Sequence, residues 1–188
     1  MPTLIKFRKA FFYNLLLLPA LLQNNVAPAQ SANEEADIRS IALEQLAFEA
    51  GKWRTYWEEL DENGELVTVL EGFETFEVIN PPNVYLMTTD ITSNDTKTHT
   101  FRYFNEQDNL IYMYDVTPDG SHYKLSVDPL TSVTVMDPIT LPDGRQFTMR
   151  VTTTEQRQNY IKIKQEQSLD GGETWQFYRW QHLERIPE

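Results

Sequence analysis

The side chains that could carry chemistry in this 188-residue chain are few and scattered. It has three histidines, His99, His122 and His182, and no cysteine. Without thiols there can be no disulfide, thiol nucleophile or cysteine-ligated metal. A zinc-type site would need at least three convergent ligands drawn from those histidines and from carboxylates. No H-x-H or H-E-x-x-H spacing brings two of them together locally, so no metal is expected. No G-x-S-x-G, glycine-rich phosphate loop or Walker-type run is present, and no cofactor is expected either.

More unusual are charged residues inside β-rich runs. Glu71 and Glu74 flank Gly72-Phe73, while Asp90, Arg102, Asp115 and Lys124 interrupt neighbouring runs. In so acidic a chain the ordinary reading places them all on outward, solvated faces. If Asp90, Arg102, Asp115 and Lys124 point inward instead, the interior becomes polar and can fix a charged head group. Consecutive strands can bring Arg102, Asp115 and Lys124 together, but their register is unreadable from sequence, so no general acid–base pair follows. Aromatics accompany these charges. Phe101 and Tyr103, and Tyr112 and Tyr114, stand two apart and so share one strand face each. They either fill a solid core or line a cavity. The candidate ligand-binding set is therefore His99, Arg102, Tyr103, Tyr112, Tyr114 and Asp115, and no catalytic residue is assigned.

Ser31-Ala32-Asn33-Glu34 has the S-x-x-E form of a capping box. Behind it Ile38, Ile41, Ala42, Leu46 and Ala50 fall at helical spacing, and Gly51 ends the helix. From Lys52 the pattern changes to short β runs, with turn signals such as Asp61-Glu62-Asn63-Gly64, Pro81-Pro82 and Pro118-Asp119-Gly120 between them. About ten strands follow, at the spacing of an antiparallel sandwich or barrel. Gly72, near the middle of the run Leu66 to Ile79, predicts a bulge or sharp bend. The last hairpin, Ser168 to Trp175, has two glycines after Asp170 for a tight turn, and Ser168, Asp170 and Thr174 can bond the turn backbone.

Residues 1–29 read as a secretory signal. Lys6, Arg8 and Lys9 form a basic start, Ala10 to Leu22 an apolar run of thirteen, and Ala27-Pro28-Ala29 an A-x-A cleavage site. A membrane helix needs roughly 20 apolar residues, so a retained anchor is the weaker reading. The expected domains are a leader, 1–29, and a single β-barrel domain, 30–188. The leader holds three of the sixteen basic residues and none of the twenty-eight acidic ones, so the remainder carries a net charge of −15. Such charge opposes binding to nucleic acid and to anionic membrane surfaces. The expected location is periplasmic or secreted, with no stable membrane insertion after cleavage. A cysteine-free exported domain fits a bacterial periplasm better than a eukaryotic secretory route.

Two motifs support a family comparison. Phe48, Gly51 and Trp53 form F-x-x-G-x-W after a helix and before the first strand, which resembles the G-x-W signature of lipocalins and other calycins. Ser168, Asp170, Gly172, Thr174 and Trp175 form S-x-D-x-G-x-T-W, which resembles the Asp-box. Together they resemble a family of uncharacterised secreted bacterial domains with a lipocalin-like barrel. The resemblance implies an all-β fold, an antiparallel lipocalin-like barrel of about ten strands with one N-terminal helix. It also implies that Arg185, on the last strand, packs across Trp53. Haem-binding barrels similar to this fold use one proximal histidine; His182 is the position such a role would fall on, against the default of a hydrogen-bonded strand histidine. The function expected is binding of a small apolar or amphipathic ligand. The alternatives are a barrel enzyme of isomerase, cyclase or lyase type, or a protein-interaction module, because fold does not fix function.

Overall fold

The computed structural model describes residues 32–187. The expected leader, 1–29, and Ser31, the first residue of the expected capping box, lie outside the described residues. A helix, α1 (Ala32–Glu49), precedes β1 (Gly51–Leu60), β2 (Leu66–Asn80), β3 (Val84–Ile91), β4 (Thr96–Asn105) and β5 (Leu110–Val116). The chain continues with β6 (His122–Asp128), β7 (Val133–Met136), β8 (Ile139–Thr140), β9 (Gln146–Arg157), β10 (Tyr160–Ser168) and β11 (Gln176–Arg185). Every pairing between named strands is antiparallel, and each barrel strand pairs with the next along the chain, β7 passing to β9. β11 pairs with both β10 and β1, which closes a ten-stranded barrel. The two-residue β8 only flanks the start of β9.

The helix covers one end because its apolar face has a partner there. Ala42 and Leu46 are buried against Tyr85, Phe104, Ile111 and Val127, with Ile38 and Ala50 packed at the margin. A second buried cluster joins Trp53, Phe76, Ile161 and Leu183 across the barrel wall, with Phe48 beside it. Burying a large aliphatic or aromatic side chain stabilises by about 1.5–3 kcal/mol, so these two clusters fix the helix on the barrel end.

At that end Trp53 is fully buried and donates from Nε1 to the Glu49 carbonyl at 2.8 Å. The Arg185 guanidinium carbon stands 4.0 Å from the centroid of the Trp53 ring. Arg185 also donates to the carbonyls of Ala50, at 2.7 Å, and of Phe48. A helix leaves its last carbonyls without intrahelical partners, and a cation placed there satisfies them. Gly51 makes the arrangement possible. Its φ is +117°, and a Cβ would lie 3.1 Å from Arg185 Nη1.

The expected irregularity in β2 falls elsewhere. β2 is bulged at Val69, skipped between the pairs Trp57–Leu70 and Glu58–Thr68, and at Ile79, skipped between Val78–Tyr85 and Asn80–Val84. Gly72 is regular in register, and it is needed for a close approach: a Cβ there would lie 2.1 Å from the Asp90 carbonyl oxygen.

The final turn is built as its residue types require. Ser168 Oγ donates to Asp170 Oδ1 at 2.6 Å and accepts from the Gly172 amide at 2.8 Å. Asp170 accepts from the Thr174 amide at 2.9 Å and from its hydroxyl at 2.5 Å. These bonds stabilise the carboxylate and hold Asp170 well below the usual aspartate range. The Trp175 ring lies beside Gly172 on one side and under the Arg150 guanidinium, 4.5 Å away, on the other.

Candidate functional site

The barrel interior holds a cavity of ≈ 320 Å³, within the roughly 300–1,000 Å³ typical of small-molecule sites. Strand alternation supplies both its textures. Met87, Met113, Ile161, Ile163 and Leu183 give an apolar wall, while Glu74, Thr100, Arg102, Asp115, Gln165 and Gln181 bring polar groups to the same space. Gln45 and Glu49 reach it from the helix.

The polar groups are linked. Arg179 Nε donates to Gln165 Oε1 at 2.7 Å, and Gln165 Nε2 donates to Gln181 Oε1 at 2.8 Å. Gln181 Nε2 in turn donates to Glu74 Oε1 at 2.8 Å and lies 3.3 Å from Thr55 Oγ1. Two amides thus run from a guanidinium to a carboxyl group. Beside this relay, both terminal nitrogens of Arg102 reach Glu49, Nη2 at 3.4 Å. Arg102 is 7 % exposed and its Nε has no acceptor among the described residues. Thr100 Oγ1 donates to Asp115 Oδ1.

Burial sets the proton affinities. Glu74 is 3 % exposed, and desolvation pushes its carboxyl up to about 8. The charge of Asp115 adds to the rise and the Gln181 bond opposes it. Asp115 is also raised by burial, against the pull of the Thr100 bond and of Arg102. Arg102 is lowered to about 10 by burial, with Asp115 opposing. Among the described residues no cation lies within ion-pair reach of Glu74. A buried carboxylate without a partner is costly, so the protein keeps Glu74 protonated near neutral pH.

Of the six expected ligand-binding residues, the cavity takes two, Arg102 and Asp115. The other four stand on the outer face of the same strands. His99 Nδ1 lies 3.2 Å from Thr88 Oγ1 at the surface. Tyr103 packs against Tyr112 and stacks on Tyr114, with ring centroids 5.9 and 6.3 Å apart. Tyr112 donates from its hydroxyl to Asp108 at 2.6 Å. Arg102 and Asp115 lie in the opposite phase on β4 and β5, so alternation separates the two groups. Asp90 and Lys124 are outward as well, in ion pairs with Lys97 and Asp137 at 3.3 and 3.6 Å.

His182 is on the outer face of β11, almost fully buried. Its Nδ1 lies 2.7 Å from the Tyr160 hydroxyl and its Nε2 2.9 Å from Glu58, and its ring stacks on Tyr56 at 4.5 Å. Both nitrogens are engaged and neither faces the cavity, so the site does not fit a haem ligand. Among the described residues no three histidine or acidic side chains converge as a metal-ligand set.

The sequence pattern places Glu74 on a solvated face, and its phase explains why. Gly72, Glu74 and Phe76 alternate with Phe73, Thr75 and Glu77, so neither face of β2 is clearly the apolar one. For Gln165 a signal existed. Ile161 and Ile163 share its phase, against Lys162, Lys164 and Glu166, which marks Gln165 as a polar residue on the inner face. Gln181 and Arg179 carry no such mark, because Trp180 and His182 make the outer phase of β11 equally bulky.

No family model matches the chain, and no curated protein matches it. The class defined by the fold is a closed, ten-stranded antiparallel β-barrel with one N-terminal helix.

Proposed function

We propose that this protein is an exported carrier that binds one small amphipathic molecule inside its barrel. The observation that carries the reading is the cavity of ≈ 320 Å³ inside the barrel, with an apolar wall and a linked polar cluster. Hydrocarbon gains from leaving water for that wall, and a polar head can be oriented by the Glu74, Asp115 and Gln181 groups. A lipocalin-like, calycin-type ancestry is supported by the packing of Arg185 over Trp53, and an Asp-box by the bonding of Ser168, Asp170 and Thr174. The basic and apolar pattern of residues 1–29 supports export to the periplasm or beyond it.

The test is uptake of N-phenyl-1-naphthylamine, a fluorophore that brightens in apolar surroundings. Saturation at one probe per chain is expected, with loss of that uptake in the cavity-filling variants Met113→Trp and Val151→Phe. Uptake that both folded variants retain, or no uptake at all, would reject an internal site.

A second reading has its own observation. Glu74 and Asp115 are two carboxyl groups lining one cavity with raised proton affinity, and such groups serve as general acid and base. An isomerase or lyase would therefore use the same residues. A filled interior and an exposed apolar patch of several hundred Å² would favour the interaction-module reading, and the cavity leaves the first of these unmet.

A further inference from the structure

The charged side chains that line the cavity are Glu49, Glu74, Arg102, Asp115 and Arg179. Arg102 is held by Glu49 on direct contact. Arg179 lies over the Trp57 and Tyr178 rings, at 5.7 and 4.7 Å, and reaches Glu74 only through the Gln165 and Gln181 amides. The strands flanking Glu74 present no charge to it, with Trp53 paired to it on β1 and Thr89 on β3. Glu74 and Asp115 therefore remain as two acids without a contact cation.

Each also has an oxygen to spare. Glu74 accepts one hydrogen bond, at Oε1 from Gln181, and Asp115 accepts one, at Oδ1 from Thr100. Glu74 Oε2 and Asp115 Oδ2 accept none from any described residue. A head group with several N–H donors and a positive charge has a proton for each of these oxygens. A hydroxyl has a single proton to donate, and a carboxylate would meet two acceptors of its own sign.

We propose that the ligand is a primary alkylamine-type cation whose ammonium sits between Glu74 and Asp115, its hydrocarbon lying on the methionine and isoleucine wall. This rests on the binding reading above and names its head group. The ammonium replaces the proton held by Glu74: one cation enters, one proton leaves to solvent, and the charge of the site is unchanged. The raised affinity of Glu74 for its proton, to about 8, makes that exchange visible at neutral pH.

The test is isothermal titration calorimetry of the full chain at pH 7 with hexan-1-amine, hexan-1-ol and hexanoate, in two buffers of different ionisation heat. The amine should bind at least about tenfold tighter than the alcohol, the size of one charge-assisted hydrogen bond. It should release close to one proton per molecule bound. Glu74→Gln should bring the amine down to the affinity of the alcohol and abolish the proton release, and Asp115→Asn should weaken the amine less. Equal binding of amine and alcohol, preference for hexanoate, or absence of proton release would overturn the amine assignment and leave an internal site standing. If the folded chain bound none of the three, the internal site itself would fall. Should Glu74→Gln fail to fold, the proton count on the unaltered protein still decides.

Discussion

At the β10–β11 turn, both oxygens of Asp170 accept hydrogen bonds from Ser168 or Thr174, whereas in the cavity Glu74 accepts one bond and its second oxygen accepts none. One carboxyl group is held below its ordinary proton affinity and the other is pushed up to about 8. The turn needs its charge to exist, since the charged form is what Ser168, Thr174 and the backbone amides bind. The cavity can tolerate Glu74 only while it is neutral or while something cationic faces it. Complete satisfaction marks a structural site, and a buried group left short of partners marks one poised for a ligand.

The comparison breaks most visibly at the barrel end that both regions depend on. Trp53→Ala should cost about 3–5 kcal/mol in denaturant unfolding, because it empties a fully buried site and leaves Arg185 without its ring. A loss under roughly 1 kcal/mol, ordinary for surface positions, would reject the closing role of that ring.

The two carboxyl groups should then give opposite pH dependences. Between about 4.5 and about 8 the folded state keeps the Glu74 proton while the unfolded chain loses it, so stability falls as pH rises. Measured against Glu74→Gln, the unaltered protein should lose up to about 1.4 kcal/mol per pH unit across that window and level off above it. Asp170 acts the other way. Its contribution is present above its ordinary value of 3.8 and is lost as pH falls from there, which Asp170→Asn should remove. A flat difference curve for Glu74→Gln would mean that the group is not buried as described.

Smaller effects sharpen the turn. Ser168→Ala leaves the Gly172 amide without its acceptor and should cost about 1–3 kcal/mol by thermal or denaturant unfolding, with ligand uptake unchanged. Gly172→Val should also destabilise, because φ is +100° and the new Cβ would lie 3.3 Å from the Trp175 ring. Smallest of all, Tyr114→Phe on the outer face should change stability by less than about 0.5 kcal/mol and leave uptake intact.

Much of the fold was legible in the sequence. Paired glycines after Asp170, proline breaks and period-two runs mark ten strands, and a G-x-W after a helix marks where the barrel starts. The site was legible only in part, for a physical reason. A barrel of this size buries one face of each strand, and on β2, β4 and β11 both faces carry bulky residues. The outer face holds Tyr103 packed against Tyr112 and stacked on Tyr114, rings that by residue type resemble a cavity lining more than Glu74 does. Which phase points inward is decided by ring closure, a property of all ten strands together and of no single one.

The most direct test of an internal amphipathic ligand is native mass spectrometry of the protein purified from its own host under non-denaturing conditions. We predict a discrete added mass, one per chain, that is lost on denaturation and is missing from the Met113→Trp variant. Bare protein at its calculated mass, which also fails to take up hexan-1-amine or N-phenyl-1-naphthylamine when these are added, would contradict it.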